Sequence, residues 1–333
     1  MYRIALIPGD GIGPEVTAAA REVVDATGVG IEWIECNAGA EEAERSGETL
    51  PEKVLQAIRS ADAALKGPVG TPIGKGFQSV NVRLRRALDL YASLRPVKSL
   101  PGVPSRFADV DLVIVRENTE GLYAGIENVV VPGVVESLKV VTERACTRIA
   151  AFAFAYARAH HRHKVTAVHK ATVMALADGL FLNCAQQVAR RYPHIDYEER
   201  TIDDVSMNLV LDPRAFDVLL LENLYGDIVS DLAAGLVGGL GVVPGANIGD
   251  GVAVYEAVHG SAPDIAGRGS ANPTAVVLSA ALMLEGLGEP SAAERVRAAV
   301  ERALSRRETR TRDLGGDAST AQYVTALCAE IRA

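Results

Sequence analysis

Apolar residues recur along the chain in the two periods that distinguish strands from helices. Short runs rich in Val, Ile and Leu predict strands at 2–7, 31–35, 62–65, 109–115, 164–168, 195–201 and 215–221. Longer amphipathic stretches predict helices that end near residue 26 and that span 51–60, 142–158, 179–190, 274–287, 291–304 and 319–331. Because strands and helices alternate, the pattern indicates an α/β fold with a mostly parallel sheet.

A Val-rich segment, 127–143, interrupts this alternation. It contains Pro132 and Gly133 at its middle and resembles a β-hairpin. We expect this hairpin to protrude and to pair with a partner.

Composition and charge narrow the function classes. The chain has 333 residues, is 48% hydrophobic and carries a formal net charge of −8, which argues against nucleic acid as a partner. No apolar run is long enough to cross a membrane. The four cysteines are far apart and the chain opens directly on a strand, so a cytoplasmic location is predicted.

The stretch Asn223 to Asp231 (NLYGDIVSD) follows a predicted strand and leads into a helix. On a helix, Asp227 and Asp231 lie on one face, where two like charges favour a divalent cation such as Mg²⁺ or Mn²⁺. The alternative is that both carboxylates merely complement the helix dipole. Spacing alone leaves both interpretations open.

Four arginines between residues 83 and 95 form a local basic cluster in an acidic chain. Arginine binds carboxylates through paired hydrogen bonds, so the cluster indicates a site for a polycarboxylate. A solvated helix face explains it equally well. Further polar residues at predicted strand ends are Arg116, with Tyr123 beyond it, and Lys170.

The motifs together resemble the β-decarboxylating dehydrogenases, which comprise isocitrate, homoisocitrate and 3-isopropylmalate dehydrogenases. The resemblance rests on GDGIGPE at 9–15, SVNVRLRRALDLYASLRP at 79–96, RENTEGLY at 116–123, VHK at 168–170, NLYGDIVSD at 223–231 and EAVHGSAPDIAG at 256–267. These motifs cover the whole chain. The resemblance implies a metal-dependent enzyme that oxidises and decarboxylates a 2-hydroxy tricarboxylate.

The resemblance also implies an architecture. It is an isopropylmalate/isocitrate dehydrogenase-like fold of two domains with mixed sheets and an active site in the interdomain cleft, not a Rossmann fold. A large cofactor-binding domain would comprise 1–98 plus 251–333, and a small domain for dimerisation, metal and catalysis would comprise 99–250. The expected assembly is a homodimer with shared active sites, or a tetramer built from it.

Site residues carried over from the family fall into groups. The metal would be held by Asp227, Asp231 and the partner's Asp203, with Asp204 as a rival. Lys170 of the partner subunit would accept the substrate's hydroxyl proton, and Tyr123 would donate the proton that completes decarboxylation. Residues expected to bind substrate are Ser79, Asn81, Arg85, Arg95 and Arg116.

The cofactor implied by the resemblance is NAD. An acidic Asp264 followed by Ile265 would accept the adenosine ribose hydroxyls and repel the 2′-phosphate of NADP. The other residues expected to bind the cofactor are Thr71, Glu256, His259, Gly260, Ser261, Ala262 and Asn272.

Polar Ser79 and Asn81 resemble the start of the substrate-binding helix in isocitrate enzymes, whereas isopropylmalate enzymes carry apolar residues there. An isopropyl group would leave both side chains unpaired. Isocitrate is therefore the preferred substrate, with homoisocitrate, which is one methylene longer, as the alternative and dual specificity allowed. A regulatory subunit without catalytic activity is a less favoured interpretation than an enzyme. The reason is that Tyr123, Lys170 and the three aspartates expected to bind metal are all present.

Overall fold

The computed structural model describes residues 1–70 and 79–333, and it divides the chain into two compact units. Unit 1 comprises 1–88, 98–108 and 234–333, and unit 2 comprises 89–97 and 109–233. The predicted division at 98/99 and 250/251 differs from this. The family resemblance implied those bounds, but residues 98–108 and 234–250 group with unit 1.

Unit 1 contains five strands and seven α-helices among the described residues. The strands are β1 (Tyr2–Ile7), β2 (Ile31–Glu35), β3 (Ala63–Lys66), β11 (Pro244–Gly249) and β12 (Val252–Ala257). The helices are α1 (Gly13–Ala26), α2 (Ala40–Ser46), α3 (Glu52–Ser60), α4 (Val80–Ala87), α9 (Thr274–Gly286), α10 (Pro290–Ser305) and α11 (Thr320–Arg332). The strands pair in the order β2-β1-β3-β12-β11, and only β11 is antiparallel to its neighbour β12.

Helix α9 forms the centre of the unit 1 core. Ten of its thirteen residues are buried, because it packs on α1, α10 and the β11–β12 pair at once. A helix enclosed on several sides needs apolar residues all round. Its sequence, TAVVLSAALMLEG, meets that requirement.

Unit 2 is built on a second set of strands. These are β4 (Ala92–Lys98), β5 (Asp111–Glu117), β8 (Lys164–His169), β9 (Asp196–Thr201) and β10 (Val218–Leu221), in the order β4-β5-β10-β8-β9. Strands β5, β10, β8 and β9 are mutually parallel. The helices are α5 (Glu143–Ala159), α6 (Ala177–Ala189), α7 (Ile202–Leu211) and α8 (Asn223–Leu236). Because carboxyl ends of parallel strands meet at one edge, residues after β5, β8, β9 and β10 are brought together there.

The predicted hairpin is present as β6 (Gly121–Val131) and β7 (Val134–Val140), an antiparallel pair in unit 2. Its outer half exposes large apolar side chains, including Val129 and Val135. No described helix is long and apolar enough to pass through a bilayer.

Candidate active site

Helix α8 carries both aspartates of the central motif, and two arginines from neighbouring strands face them. Arg95 on β4 lies 3.7 Å from a carboxylate oxygen of Asp227 and 3.7 Å from one of Asp231. Its guanidinium also donates to the hydroxyl of Ser230, and Arg116 at the end of β5 donates to Asp227. Both arginine side chains are buried, whereas the two carboxylates remain partly exposed. We call these five residues, together with Tyr123, the α8 cluster.

Two residues of the NLYGD motif fix the position of Arg116. Its Nε and Nη2 donate to the side-chain oxygen of Asn223 at 3.1 and 2.6 Å. A Cβ atom at Gly226 would lie 2.5 Å from Cγ of Arg116, so only glycine allows the arginine stem to cross the helix there. Asn223 and Gly226 therefore aim the guanidinium at Asp227.

Tyr123 on β6 donates its phenolic proton to the carboxylate of Asp227. Its ring lies under the Arg116 guanidinium, 5.1 Å from the ring centre. Burial raises the pKa of Tyr123, and the hydrogen bond to Asp227 raises it further. The phenol is thus held in its protonated form, as a proton donor requires.

Burial also raises the pKa of Asp231, and the charge of Asp227 adds to this, while Arg95 opposes both. Two oxygen-ligand carboxylates on successive turns, each more than a third exposed, suit Mg²⁺ or Mn²⁺, which proteins often hold through one or two carboxylates. Within 1–70 and 79–333, no three His, Cys, Asp or Glu side chains converge as a complete ligand set. The donor chemistry of Asp227 and Asp231 therefore fits the metal.

Lys170 follows β8 directly and forms an ion pair with Asp203 of α7. Lys170 holds the pKa of the Asp203 carboxyl below its usual value. The neighbouring Asp204 is engaged differently, since it accepts from Arg200 at 3.1 Å and from Asn208 at 2.8 Å. Of the two rival aspartates, Asp203 is the one that lies beside the lysine.

A second cluster lies in unit 1 around Glu256 of β12. Its carboxylate forms ion pairs with Lys66 and with Arg85, the latter at 3.4 Å, and accepts from Asn247 at 2.6 Å. Burial alone would raise the pKa of Glu256, but the two cations overcome it and lower the pKa to about 2. The predicted substrate residue Arg85 is therefore held by a predicted cofactor residue.

Helix α4 presents the predicted substrate-binding residues of this unit. Ser79 caps its N-terminus, with the hydroxyl accepting from the Val82 amide at 3.5 Å. The side-chain oxygen of Asn81 and the Nε of Arg85 are buried without a hydrogen-bond partner among the described residues. Buried polar atoms are rarely left unpaired, so these two point to a polar ligand.

Unit 1 also contains a cavity of about 700 Å³, within the range of pockets that hold cofactors. Five predicted cofactor residues line it: His259, Gly260, Ala262, Ile265 and Asn272. Burial lowers the pKa of His259, and its Nε2 has no partner in the described part of the chain. The cavity and this unpaired nitrogen fit a nucleotide cofactor.

The remaining predicted cofactor residues lie differently. Asp264 is exposed and is not among the lining residues, and Glu256 belongs to the buried cluster above. Ser261 accepts the Ile12 amide through its carbonyl at 2.8 Å. Thr71 lies outside the described residues.

The glycines of the GDGIGPE motif, at positions 9, 11 and 13, allow close approach of neighbouring backbone segments. Gly11 has φ +62°, and a Cβ there would collide with the carbonyl of Ser261. The absence of a side chain thus lets the loop at Ser261 approach the start of α1. This supports tight packing as the role of the motif.

Sequence reasoning missed several residues. Arg268, Arg312, Asp313, Asp317 and Gln322 also line the cavity. None of them directly follows a predicted strand, so position at a strand end did not mark them as site residues. Lys66 and Asn247, the partners of Glu256, were missed as well, although Lys66 ends a predicted strand and could have been found by that position.

Comparison with known proteins decides the family. The sequence profile described as isocitrate/isopropylmalate dehydrogenase matches residues 3–327. The chain belongs to this family. It is 52% identical over 324 residues to the mitochondrial catalytic subunit 5 of NAD isocitrate dehydrogenase from Arabidopsis thaliana, covering 97% of this chain and 87% of that one.

Two further proteins are similar to this chain along most or all of its length. The chloroplastic 3-isopropylmalate dehydrogenase of Solanum tuberosum is 51% identical over 306 residues, which cover 92% of this chain and 86% of that one. The crystal structure of isocitrate dehydrogenase from Methylococcus capsulatus superimposes with a TM-score of 0.96, at 49% identity and full coverage of both chains. The predictions of family, of fold class and of a decarboxylating dehydrogenase are confirmed.

The predicted cytoplasmic location is wrong. The Arabidopsis relative is named as a mitochondrial protein, and relatives of this kind point to mitochondria instead. The prediction used the wide cysteine spacing and the strand at the start of the chain. Neither feature separates the cytosol from another reducing compartment.

Proposed function

We propose that the protein oxidises isocitrate and decarboxylates it to 2-oxoglutarate and CO₂, with NAD as the hydride acceptor. The observation that carries the substrate assignment is that the side-chain oxygen of Asn81 and the Nε of Arg85 have no hydrogen-bond partner within 1–70 and 79–333. A carboxylate on the third arm of the substrate would accept the Arg85 Nε–H, and the Asn81 amide would turn its NH₂ group towards that carboxylate by a flip of its oxygen and nitrogen. An isopropyl group would leave them unpaired at a cost of about 1–3 kcal/mol each.

The relatives support this reading at the level of the reaction. Those at about 50% identity include subunits named as NAD isocitrate dehydrogenase, and the cofactor prediction of NAD with Mg²⁺ or Mn²⁺ agrees with the family. When bound at Asp227 and Asp231, the metal supplies Lewis-acid polarisation of the substrate oxygens. NAD would bind in the cavity that His259, Ile265 and Asn272 line.

Arginines hold the substrate in this proposal. Arg95 and Arg116 are buried, fixed by hydrogen bonds and adjacent to the exposed face of two aspartates, so they can bind carboxylates without losing much side-chain freedom. Arg85 binds the third carboxylate together with Ser79 and Asn81. The arrangement accounts for a basic cluster in an acidic chain.

Two side chains carry out the proton transfers of the proposed reaction. Lys170 of the partner subunit accepts the hydroxyl proton as hydride leaves the substrate, with the partner's Asp203 beside it. Tyr123, kept protonated by burial and by Asp227, donates a proton to the carbon from which CO₂ departs. Retention of both groups supports a catalytic subunit over a regulatory one.

The proposed assembly is a homodimer. Unit 2 exposes large apolar side chains that monomers seldom leave in water, among them Val129 (71% exposed) and Leu176 (91% exposed). Leu176 lies close in the chain to Lys170. An interface that covers these residues would carry Lys170 and Asp203 towards the other protomer.

The experiment compares the wild type with Asn81→Leu, and with Asn183→Leu on the exposed face of α6 as a matched control. NADH formation is measured with isocitrate and with 3-isopropylmalate in the presence of Mg²⁺. We expect Asn81→Leu to lower kcat/KM for isocitrate by about tenfold or more and to shift the ratio towards 3-isopropylmalate. An unchanged ratio, or no NADH from isocitrate with the wild type, would contradict the proposal.

A further inference from the structure

Unit 2 contains a buried ion cluster that the proposed mechanism does not use. Lys139 on β7 lies 2.5 Å from a carboxylate oxygen of Asp178 on α6, forms an ion pair with Glu222 before α8, and lies 5.1 Å from the ring centre of Tyr225. The Asp178 side chain is 0% exposed and that of Lys139 is 15% exposed. We call these four residues the Lys139 cluster.

In this cluster Lys139 forms ion pairs with two carboxylates, those of Asp178 and Glu222. Burial raises the pKa of Glu222 to about 7, although Lys139 acts in the opposite direction. Glu222 is therefore only partly ionised near neutral pH, so Lys139 mainly balances the charge of Asp178. A buried carboxylate needs such a partner, since an unpaired charge would cost several kcal/mol.

The second oxygen of Asp178 reaches the proposed catalytic lysine. It accepts the backbone N–H of Lys170 at 2.6 Å. The carbonyl of Lys170 accepts the amides of Val173 and Met174, both at 2.9 Å, and the Asp178 amide donates to the Met174 carbonyl at 3.0 Å. The backbone of Lys170 is thus held on both sides at the point where it leaves β8.

We propose that Asp178 is a positioning residue for Lys170: its carboxylate, balanced by Lys139, fixes the backbone from which the catalytic lysine extends. The inference rests on the proposed function, because it matters for turnover only if Lys170 transfers the proton. A misplacement of about 1 Å can lower an enzymatic rate by about 100-fold. Asp178 acts through Lys170 and touches no substrate atom.

The test compares Asp178→Ala, which deletes the acceptor, with Asp178→Asn, which keeps an oxygen that can accept the Lys170 amide. Asp196→Asn, an exposed aspartate of the same unit, is the control. We expect Asp178→Ala to lower kcat for isocitrate by about 10- to 100-fold with KM changed less than about twofold, and Asp178→Asn to keep kcat within about threefold. Deuterium exchange at the Lys170 amide should be about tenfold faster in Asp178→Ala only.

Equal kcat in Asp178→Ala and wild type, equal losses in the alanine and asparagine variants, or unchanged exchange at the Lys170 amide would overturn the inference. If wild type fails to oxidise isocitrate, the proposed function fails, and the exchange measurement still decides the role of Asp178. If Asp178→Ala does not fold, Lys139→Met with Asp178→Leu replaces the buried pair by apolar side chains and removes the same acceptor. Its Lys170 amide should exchange as fast as expected for the alanine variant.

Discussion

Arg116 shows how single residues build the α8 cluster. It is fully buried, and it tolerates that position because Asn223 and Asp227 accept its guanidinium protons. A buried cation without such partners would be strongly destabilising. The motif around Asp227 thus contributes a carboxylate to the cluster. It also contributes the hydrogen-bond acceptors that hold Arg116 of β5 in place.

Gly226 provides a direct test of that support. We expect Gly226→Ala to displace the Arg116 stem, lower the free energy of unfolding by about 1–3 kcal/mol and reduce kcat/KM for isocitrate by about tenfold or more. The matched control is Gly235→Ala on the same helix, where a Cβ meets nothing within 4 Å. The control should be neutral or slightly stabilising by thermal unfolding. Equal effects of the two substitutions would contradict the role given to Gly226.

Glu256 makes stability depend on pH in a defined direction. Its folded pKa, about 2, lies below the ordinary 4.5, so its ionised form stabilises the fold above about pH 4.5. That contribution, at most about 3 kcal/mol, is lost as pH falls towards 2. The gap in unfolding free energy between wild type and Glu256→Gln should therefore narrow as pH falls from about 6 to 3.

Urea unfolding at a series of pH values measures this gap. Glu48→Gln, at an exposed glutamate of unit 1, is the control and should show a gap that does not change with pH. A constant gap for Glu256→Gln would mean that Lys66 and Arg85 do not hold the carboxyl in its charged form.

The sequence predicts which residues take part in the reaction, but it does not predict the hydrogen bonds and ion pairs that hold them in position. Tyr123, Lys170 and the aspartates were predictable from motifs at strand ends, and their roles stay predictions. The hydrogen bond from Lys170 to Asp178 was not predictable, because it spans an irregular turn without periodic spacing. Likewise, nothing in the local sequence pairs Glu256 with Lys66, which is far away along the chain although its strand β3 pairs with β12.

At the scale of elements, most of the proposed catalytic residues lie at strand ends or on the hairpin β6–β7. Most strands and helices were predictable because their apolar periods are clear. The antiparallel pair β11–β12 and the short helices α2 and α7 were not predicted. Their segments are short or mix apolar residues with glycine and acidic residues, so neither period dominates.

The hairpin β6–β7 should hold two protomers together. Val129 and Val135 face each other across it and are 71% and 63% exposed. Replacing them together as Val129→Asp with Val135→Lys keeps a cross-strand pair but removes apolar surface. We expect the dimer dissociation constant to rise by about 100-fold or more in sedimentation experiments. Ala329→Asp, which adds a charge to the exposed face of α11, should leave the assembly unchanged, and an intact dimer in the double variant would contradict this role.

At the scale of the whole molecule, the proposed sharing of sites would bring the partly exposed Lys170–Asp203 pair of one protomer to Asp227 and Asp231 of the other, which form no group of three with a further His, Cys, Asp or Glu among the described residues. Sequence could imply this sharing only through family resemblance. Composition could not locate the protein in the cell. Charge and cysteine spacing report on solubility and redox chemistry, which several compartments share.

Mixing two inactive variants tests the sharing. Lys170→Met and Asp227→Asn should each abolish turnover alone. After joint unfolding and refolding, mixed dimers would contain one intact site, and activity should return to about a quarter of the wild-type value. Steady-state NADH formation measures the recovery. Absence of recovery, despite mixed dimers shown by mass spectrometry, would place each site within a single chain.

The substrate assignment can be tested most directly on the purified wild-type protein. The test compares kcat/KM for isocitrate, homoisocitrate and 3-isopropylmalate, each with NAD and Mg²⁺. We expect isocitrate to exceed 3-isopropylmalate by about 100-fold or more, because the apolar group would form no hydrogen bond with the Asn81 amide or with the Nε of Arg85. The margin over homoisocitrate should be smaller, about tenfold for one methylene. A preference for 3-isopropylmalate, or no turnover of isocitrate, would contradict the assignment.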